Sequence, residues 1–381
     1  MKVCHIVAGY YPLNAAPFEY TRKLASFGTA VDVIAFGRPR EATRELVDGV
    51  AVKRIPLTRS RRFSWRNTYK FVMAALTLLK TEYYDLVHVY AFRGCCLLPL
   101  WGRHLAGHWL LDIRTGNVSN KPWRSWMADR VTALESNAFD TCIAINEGVG
   151  KRVLGSNRTF HVVPLGVDLA KFKPARNLLL RRKLGIPDDH LTVVFTSKLE
   201  PQRTPNRVLQ GFAQATQVFP NLLLLVVGDG TMLAELQSLA KTLAISDKVC
   251  FTGYVPYIRV QDYVNVADVG LAYVPITPQY MAQPPLKTVE FLACGLPTLA
   301  TNTLGNSQFI RKGENGLLVD DTPAAIAAGL MQLAGSESLR RQLAGHARAS
   351  IEAYDWLNIV KTQLMPFYDQ TMERDGLPKA G

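Results

Sequence analysis

The chain has little cysteine, no long apolar run and a shortage of acid. Its six cysteines, Cys4, Cys95, Cys96, Cys142, Cys250 and Cys294, sit mostly in apolar segments and show no metal-ligand spacing. That pattern excludes a disulfide framework or a zinc module and predicts reduced core residues. The adjacent Cys95 and Cys96 would form a strained bridge at best. The longest apolar runs, such as residues 71–76, fall far short of the roughly 18 to 20 residues that a membrane-spanning helix needs. Residues 3–8 are apolar but contain His5 and lack a small-residue cleavage site after them, so they read as a first buried strand. A cytoplasmic location is the expectation. Zinc-finger spacing, RNA-binding signatures, solenoid repeats and low-complexity tracts are all missing, which argues against a nucleic-acid partner.

What is present begins with charge. Lysine and arginine number 44 against 31 acids, a net charge of +13. An excess of this size calls for an anionic partner, whether nucleic acid, an acidic lipid surface or a phosphorylated substrate. Arg59, Arg62, Arg66 and Lys70 fall at spacings of three and four, with Phe63, Trp65, Tyr69 and Phe71 around them. If helical, this is a basic amphipathic face suited to the headgroups of an anionic membrane. The alternative is a solvated face of a core-packed helix.

At 381 residues and 48% hydrophobic content there is room for two cores. Strand-like and helix-like runs alternate, which predicts an α/β protein with parallel sheets wound by crossover helices. Strand candidates are residues 3–8, 30–35, 51–55, 85–89, 108–113, 141–145 and 159–163, then 191–196, 221–227, 248–251, 269–273, 297–300 and 316–319. Helical runs include 18–26, 69–80, 123–138, 339–354 and 356–372. Two Rossmann-like domains are the economical reading, 1–165 and 166–354, with a final helix over 355–381 that returns to the first domain and ends in a frayed tail.

The densest stretch is 284–302. Pro285, Leu286 and Lys287 open a helix carrying Glu290 and closed by Gly295 and Pro297. Free amides at such a helix start favour phosphate, and Glu290, one turn in, can accept hydrogen bonds from a ribose. An ordinary capped helix with a surface glutamate is the plain alternative. At other strand ends stand Lys198 and Arg203, a pair suited to a diphosphate, and Gly228, Asp229 and Gly230, which permit close backbone approach. A solvated basic loop and a tight turn are the corresponding alternatives.

Taken in order, these features resemble glycosyltransferase family 4, the retaining group with the GT-B fold, over nearly the whole chain. Residues 163–168 with Phe172 look like its interdomain segment; Ser197, Lys198, Leu199 and Arg203 lie where it has a glycine, arginine and leucine, then a lysine. Residues 226–230, 249–253 and 290–297 match its later strands and carboxyl-terminal signature. The resemblance implies two domains facing across a cleft, the first binding the acceptor and the second a nucleotide-sugar donor, with UDP- or GDP-sugar expected. It implies catalytic roles at the diphosphate for Lys198 and Arg203, a ribose contact for Glu290, and phosphate contacts at Pro285, Leu286 and Lys287, with Gly228 and Gly230 nearby. Because no two aspartates are separated by a single residue, the Asp-x-Asp metal site of the other main glycosyltransferase fold is absent. Metal-independent transfer to a glycan or lipid-linked acceptor, in surface polysaccharide or glycolipid synthesis, is expected.

Three departures stand out. Ala282 occupies the place of a first signature glutamate, so Gln283 or Lys287 would take over its contact. Arg114 replaces a common histidine and would bind phosphate or acceptor. Ala15 and Ala16 replace a glycine pair that, if it needed positive φ, alanine would fit poorly. His88 either faces the cleft or is a satisfied core histidine. Asp112 either orients an acceptor hydroxyl or caps the next segment, and Trp123 and Trp126 either stack on sugar or lipid or pack in a core. A catalytically degenerate subunit and a nucleotide-sugar epimerase are the rival functions.

Overall fold

The computed structural model describes residues 1–12, 15–57, 64–119, 121–156 and 158–374. Arg59, Arg62 and Phe63 of the expected basic helix therefore lie outside the described residues. The chain divides into two compact units, Met1–Gly166 with Trp356–Gly381, and Val167–Asp355.

The first unit is built on eight strands: β1 (Lys2–Tyr10), β2 (Ala30–Phe36), β3 (Arg44–Val47), β4 (Val50–Ile55), β5 (Tyr84–Tyr90), β6 (Ala106–Ile113), β7 (Thr141–Ala144) and β8 (His161–Val162). Their order is β3-β4-β2-β1-β5-β6-β7-β8, all parallel except β3 against β4. The alternation of apolar strands and helices predicts this arrangement, except for β3. That strand is the outer arm of a hairpin turning at Asp48 and Gly49, both at positive φ. An Asp-Gly pair between short strands is a local signal for such a turn, so the hairpin was legible in principle. Ala15 and Ala16 open the Ala15–Ser26 helix; neither position needs positive φ, which removes the steric objection to alanine there.

The last described helices belong to this unit, and the expected frayed tail beyond Arg374 lies outside the described residues. Trp356–Ile359, a π turn over Val360–Leu364 and Met365–Arg374 follow one another. The π turn brings Trp356, Ile359, Val360, Leu364, Tyr368 and Met372 to the buried side. Trp356 meets Tyr20 edge to face at 5.3 Å, and a Cβ at Gly166 would collide with its indole.

The second unit holds six parallel strands: β9 (Leu191–Thr196), β10 (Leu222–Val227), β11 (Val249–Phe251), β12 (Val269–Ala272), β13 (Thr298–Thr301) and β14 (Gly316–Val319). Their order is β11-β10-β9-β12-β13-β14. The inner strands β10, β12 and β13 are buried along their entire length, as a parallel sheet covered by helices requires. Both sheets make the protein a doubly wound α/β molecule with two Rossmann-like units. The winding direction reverses between β1 and β5 in the first and between β9 and β12 in the second, and loops at the carboxyl ends beside such a reversal are where α/β sheets bind ligands. Among the described residues no helix is long and apolar enough to cross a membrane.

Candidate functional site

In the second unit the loops that leave β9 and β12 flank the reversal. After β9 come Lys198, a single 3-10 turn over Pro201–Arg203, and Thr204 at left-handed φ 42° and ψ 49°. A threonine held there signals backbone strain, tied down by a hydrogen bond of 2.7 Å between its hydroxyl and Tyr273. The Arg203 guanidinium lies 5.6 Å from the Tyr280 ring centroid, and no described side chain or carbonyl accepts a hydrogen bond from it. Lys198, 70% exposed, pairs with Glu200 at 3.2 Å.

The glycines of the β10 turn serve this loop. A Cβ at Gly228, whose φ is 145°, would run into the Ser197 carbonyl, and one at Gly230 into that of Leu199. Leu199 N–H donates to the Asp229 carbonyl at 2.9 Å, so the turns after β9 and β10 lock together. The close approach made possible here is of one loop to the other.

The helix of the carboxyl-terminal signature runs over Leu286–Ala293, with Pro285 as its extended cap residue and not its first helical one. The missing proline N–H costs nothing in either position. No side chain caps this helix start. The loop before it is fixed from behind: a Cβ at Gly305 would strike the Gln283 carbonyl, and buried Asn306 donates to the Thr301 carbonyl and accepts from the Thr288 hydroxyl. Lys287 turns inward. Its Nζ donates to the Tyr273 carbonyl at 3.0 Å and sits 4.7 Å from the Phe195 ring centroid. Burial, reinforced by Arg203, holds its ammonium well below the ordinary lysine range, against the pull of Glu290.

Glu290 is the most informative group. It is buried, its Oε1 has no hydrogen-bond partner among the described residues, and burial raises its carboxyl to about 7 despite the Tyr257 hydroxyl and the charges of Lys171 and Lys287. The alternative of a surface glutamate fails because the helix packs on β12 and β13 and is buried from Lys287 to Ala293. Tyr257 and Lys171 went unnoticed in the sequence. The Lys171 ammonium lies 3.8 Å from the Tyr257 ring centroid and donates to the Tyr257 carbonyl. Its only sequence signal is its place beside Phe172. Tyr273 and Tyr280 were also missed, although an aromatic residue closing a strand and one leading into a Pro-Pro step are visible in the chain.

The candidates of the first unit behave differently. His88 stacks on its register partner His5 at 4.5 Å, and both are fully buried. His88 Nδ1 hydrogen-bonds Tyr368 at 2.6 Å, and Nε2 bonds Asp112 at 3.0 Å. It is the satisfied core histidine, not a group presented at a cleft, because both ring nitrogens are spent inside the unit. Burial pushes its pKa down, opposed by Asp112. Asp112 Oδ2 accordingly orients His88, while its buried Oδ1 has no hydrogen-bond partner among the described residues and lies 3.7 Å from Arg114. Arg114, with its side chain 13% exposed, donates to the Val163 and Pro164 carbonyls at 2.8 and 3.2 Å and lies over Tyr20 at 5.2 Å. The geometry thus draws Arg203, Lys287, Tyr273 and Tyr280 together in one unit, and His88, Asp112 and Arg114 in the other.

Residues 18–171 match the model of Glycosyltransferase Family 4, and residues 178–350 that of Glycosyl transferases group 1. The D-inositol 3-phosphate glycosyltransferase of Geodermatophilus obscurus is 30% identical over 379 residues, covering 90% of this chain and 81% of that protein. Among solved structures, the sucrose-phosphate synthase of Thermosynechococcus elongatus superposes with a TM-score of 0.80 at 20% identity, over 98% of this chain and all of that one. Anabaena HepE, solved with UDP-glucose, does so with a TM-score of 0.76 at 16% identity, over 98% and 100%. The two likenesses establish the fold, and the sequence matches establish kinship: the chain is a glycosyltransferase, a member of glycosyltransferase family 4 with the GT-B fold.

Proposed function

We propose that the protein transfers a sugar, with retention of anomeric configuration and without a metal, from a nucleotide-sugar donor to a glycan or lipid-linked acceptor in surface-polysaccharide or glycolipid synthesis. The second unit binds the donor and the first the acceptor. The observation that carries this reading is the buried, half-satisfied carboxylate of Glu290 on a helix whose amino end no side chain caps. A ribose hydroxyl supplies the missing donor to Oε1, and the amides of Leu286 and Lys287 meet phosphate oxygens. Arg203, which no described acceptor occupies, neutralises the diphosphate as the bond from the anomeric carbon to phosphate breaks. Lys198 joins it by exchanging Glu200 for the phosphate. The acceptor oxygen attacks the same face of the sugar, and its proton passes to the departing diphosphate oxygen. Preorganised cations at the leaving group lower this barrier, the task a metal performs elsewhere.

Lys287, bonded to the Tyr273 carbonyl, shapes the site through its position. Gln283, in the loop before the Leu286–Ala293 helix, takes over the contact that Ala282 cannot make. Arg114 sets the end of β6 against residues 163–164 on the acceptor side. HepE was solved with UDP-glucose, which makes uridine the first base to test, with guanosine next. The surplus of 13 positive charges, and Arg66 and Lys70 exposed on the Trp65–Leu79 helix, support a peripheral place on the inner face of an anionic membrane. A thermal-shift series with UDP, GDP, ADP, CMP and dTDP and their sugar conjugates, in EDTA, tests the donor assignment. Selective stabilisation by one nucleotide, lost in Glu290→Ala and Arg203→Ala, supports it. Stabilisation by none of them sinks it.

A further inference from the structure

A helix at a protein surface ordinarily hides its apolar side chains. The Pro122–Ser136 helix of the first unit does the reverse. Its buried residues are Ser125, Asp129, Glu135 and Ser136, whereas Trp123, Trp126, Met127 and Leu134 are 59%, 57%, 48% and 72% exposed. The inward face is held by polar bonds. Asp129 accepts from the Asn117 amide at 2.8 Å and from Arg152 Nε at 2.9 Å, Ser125 accepts from the Ser119 amide at 2.9 Å, and Glu135 accepts from the Gly94 amide at 2.6 Å. The core reading of Trp123 and Trp126 is thereby excluded.

The outward face is ordered. Trp123, Met127, Arg130 and Leu134 recur at spacings of four, three and four, so they line one face over about 16 Å. Arg124 and Arg130 lay their guanidinium groups 5.3 and 5.5 Å from the ring centroids of Trp123 and Trp126. Lys121, just before the helix, is exposed. The two acids of the helix, Asp129 and Glu135, both point inward. The surface is therefore apolar and cationic with no helix acid on it. Broad indole rings beside long basic side chains suit the boundary between headgroups and acyl chains, where the rings enter the apolar side and the cations stay with lipid phosphate.

We propose that this face is a docking surface for an anionic phospholipid bilayer, entered by Trp123, Trp126, Met127 and Leu134 and held by Lys121, Arg124 and Arg130. The proposal rests on the reading of a membrane partner given above and assigns the contact to a different helix from the one carrying Arg66 and Lys70. Such a surface brings the first unit to the membrane plane, where a lipid-linked acceptor is found.

The test is cosedimentation of the full chain with vesicles of phosphatidylglycerol and phosphatidylcholine, compared with phosphatidylcholine alone, at low salt. The wild type pellets only with the anionic vesicles, and its tryptophan emission shifts to the blue. Trp123→Ser/Trp126→Ser and, separately, Arg124→Glu/Arg130→Glu each lower the bound fraction by about tenfold, while their melting temperatures and nucleotide-induced thermal shifts stay those of the wild type. Arg66→Glu/Lys70→Glu retains most of the binding. Wild-type binding by the Trp123/Trp126 variant, with loss in the Arg66/Lys70 variant, overturns this proposal and leaves the membrane reading standing. Failure of the wild type to bind at all removes both. A concentration-dependent dimer in light scattering, abolished by the Trp123/Trp126 variant without any vesicle binding, also overturns it and gives the face to a second copy of the chain.

Discussion

Both units bury acids and bases beside the point where their sheets reverse, and they use them in opposite ways. In the first, His88 spends one ring nitrogen on Tyr368 and the other on Asp112, while Arg114 donates to two main-chain carbonyls. That cluster is compensated from within: Asp112 Oδ1, which has no hydrogen-bond partner among the described residues, faces the Arg114 guanidinium at 3.7 Å. In the second, Glu290 keeps an unpartnered Oε1 and Arg203 has an aromatic neighbour but no described hydrogen-bond acceptor. The residue types in the first unit look more catalytic, and each unit keeps one unpartnered carboxylate oxygen, yet Asp112 is ion-paired with Arg114 whereas Glu290 has no ion pair among the described residues. A buried polar group with all its partners in place stabilises a fold, whereas one that lacks a partner costs free energy until a ligand supplies it. The comparison teaches that residue type nominates a site and satisfaction decides it.

The largest effect should come from Arg203→Ala, with a fall of about a hundredfold or more in kcat/KM as a leaving-group charge loses its counter-ion. Steady-state kinetics with the cognate donor measure it, and a near-wild-type rate would erase the contrast between the units. His88→Ala should instead leave donor affinity unchanged and lower stability by about 2 to 4 kcal/mol, since it strips a fully buried group from Asp112 and Tyr368. Denaturant melts beside donor titrations separate these outcomes.

The units should also answer pH in opposite senses. Burial lowers the pKa of His5 and His88 below the ordinary 6.5, so the unfolded chain binds protons first and stability is lost as pH falls from 6.5 towards the folded values. Burial raises Glu290 from 4.5 to about 7. Its contribution is complete below 4.5 and is lost as pH rises through about 7, an effect of about 3 kcal/mol at most. Glu290→Gln should therefore stabilise the second unit more at about pH 8 than at about pH 5, and hydrogen exchange resolved by unit would show it. A pH-independent difference would mean that Glu290 is already charged in the folded protein. Lys198→Ala should do least, less than about tenfold in kcat/KM, because the ammonium is exposed and shared with Glu200. An effect as large as that of Arg203→Ala would show that the lysine leaves Glu200 and is held firmly at the phosphate.

Much of this was legible in the chain. The apolar runs that become β9 and β14 are local, and burial on both faces of a parallel strand leaves a continuous hydrophobic signature. The signature helix announced itself through Pro285 and Gly295. The β3 hairpin was passed over although Asp48 and Gly49 marked it, because its outer strand, Arg-Glu-Leu-Val, is mostly exposed and lacks an apolar run. The glycines at 228 and 230 were legible as points of close approach, but what approaches them was not. The inverted helix at 122–136 shows the deeper limit. Its pattern of tryptophans and acids fits a membrane face or a core face equally well until one knows which side Arg152, Asn117 and Gly94 occupy.

By itself, the sequence determined the α/β alternation, the family, and the helix start at which donor phosphate is expected, since these follow from periodicity, capping chemistry and short ordered motifs. Only the tertiary structure decided which polar residues are spent and which remain open. That property depends on groups far apart in sequence, His88 with Tyr368, Glu290 with Lys171 and Tyr257, Thr204 with Tyr273. Burial and hydrogen-bond partners are set by the packed chain as a whole, and no local window of residues contains them.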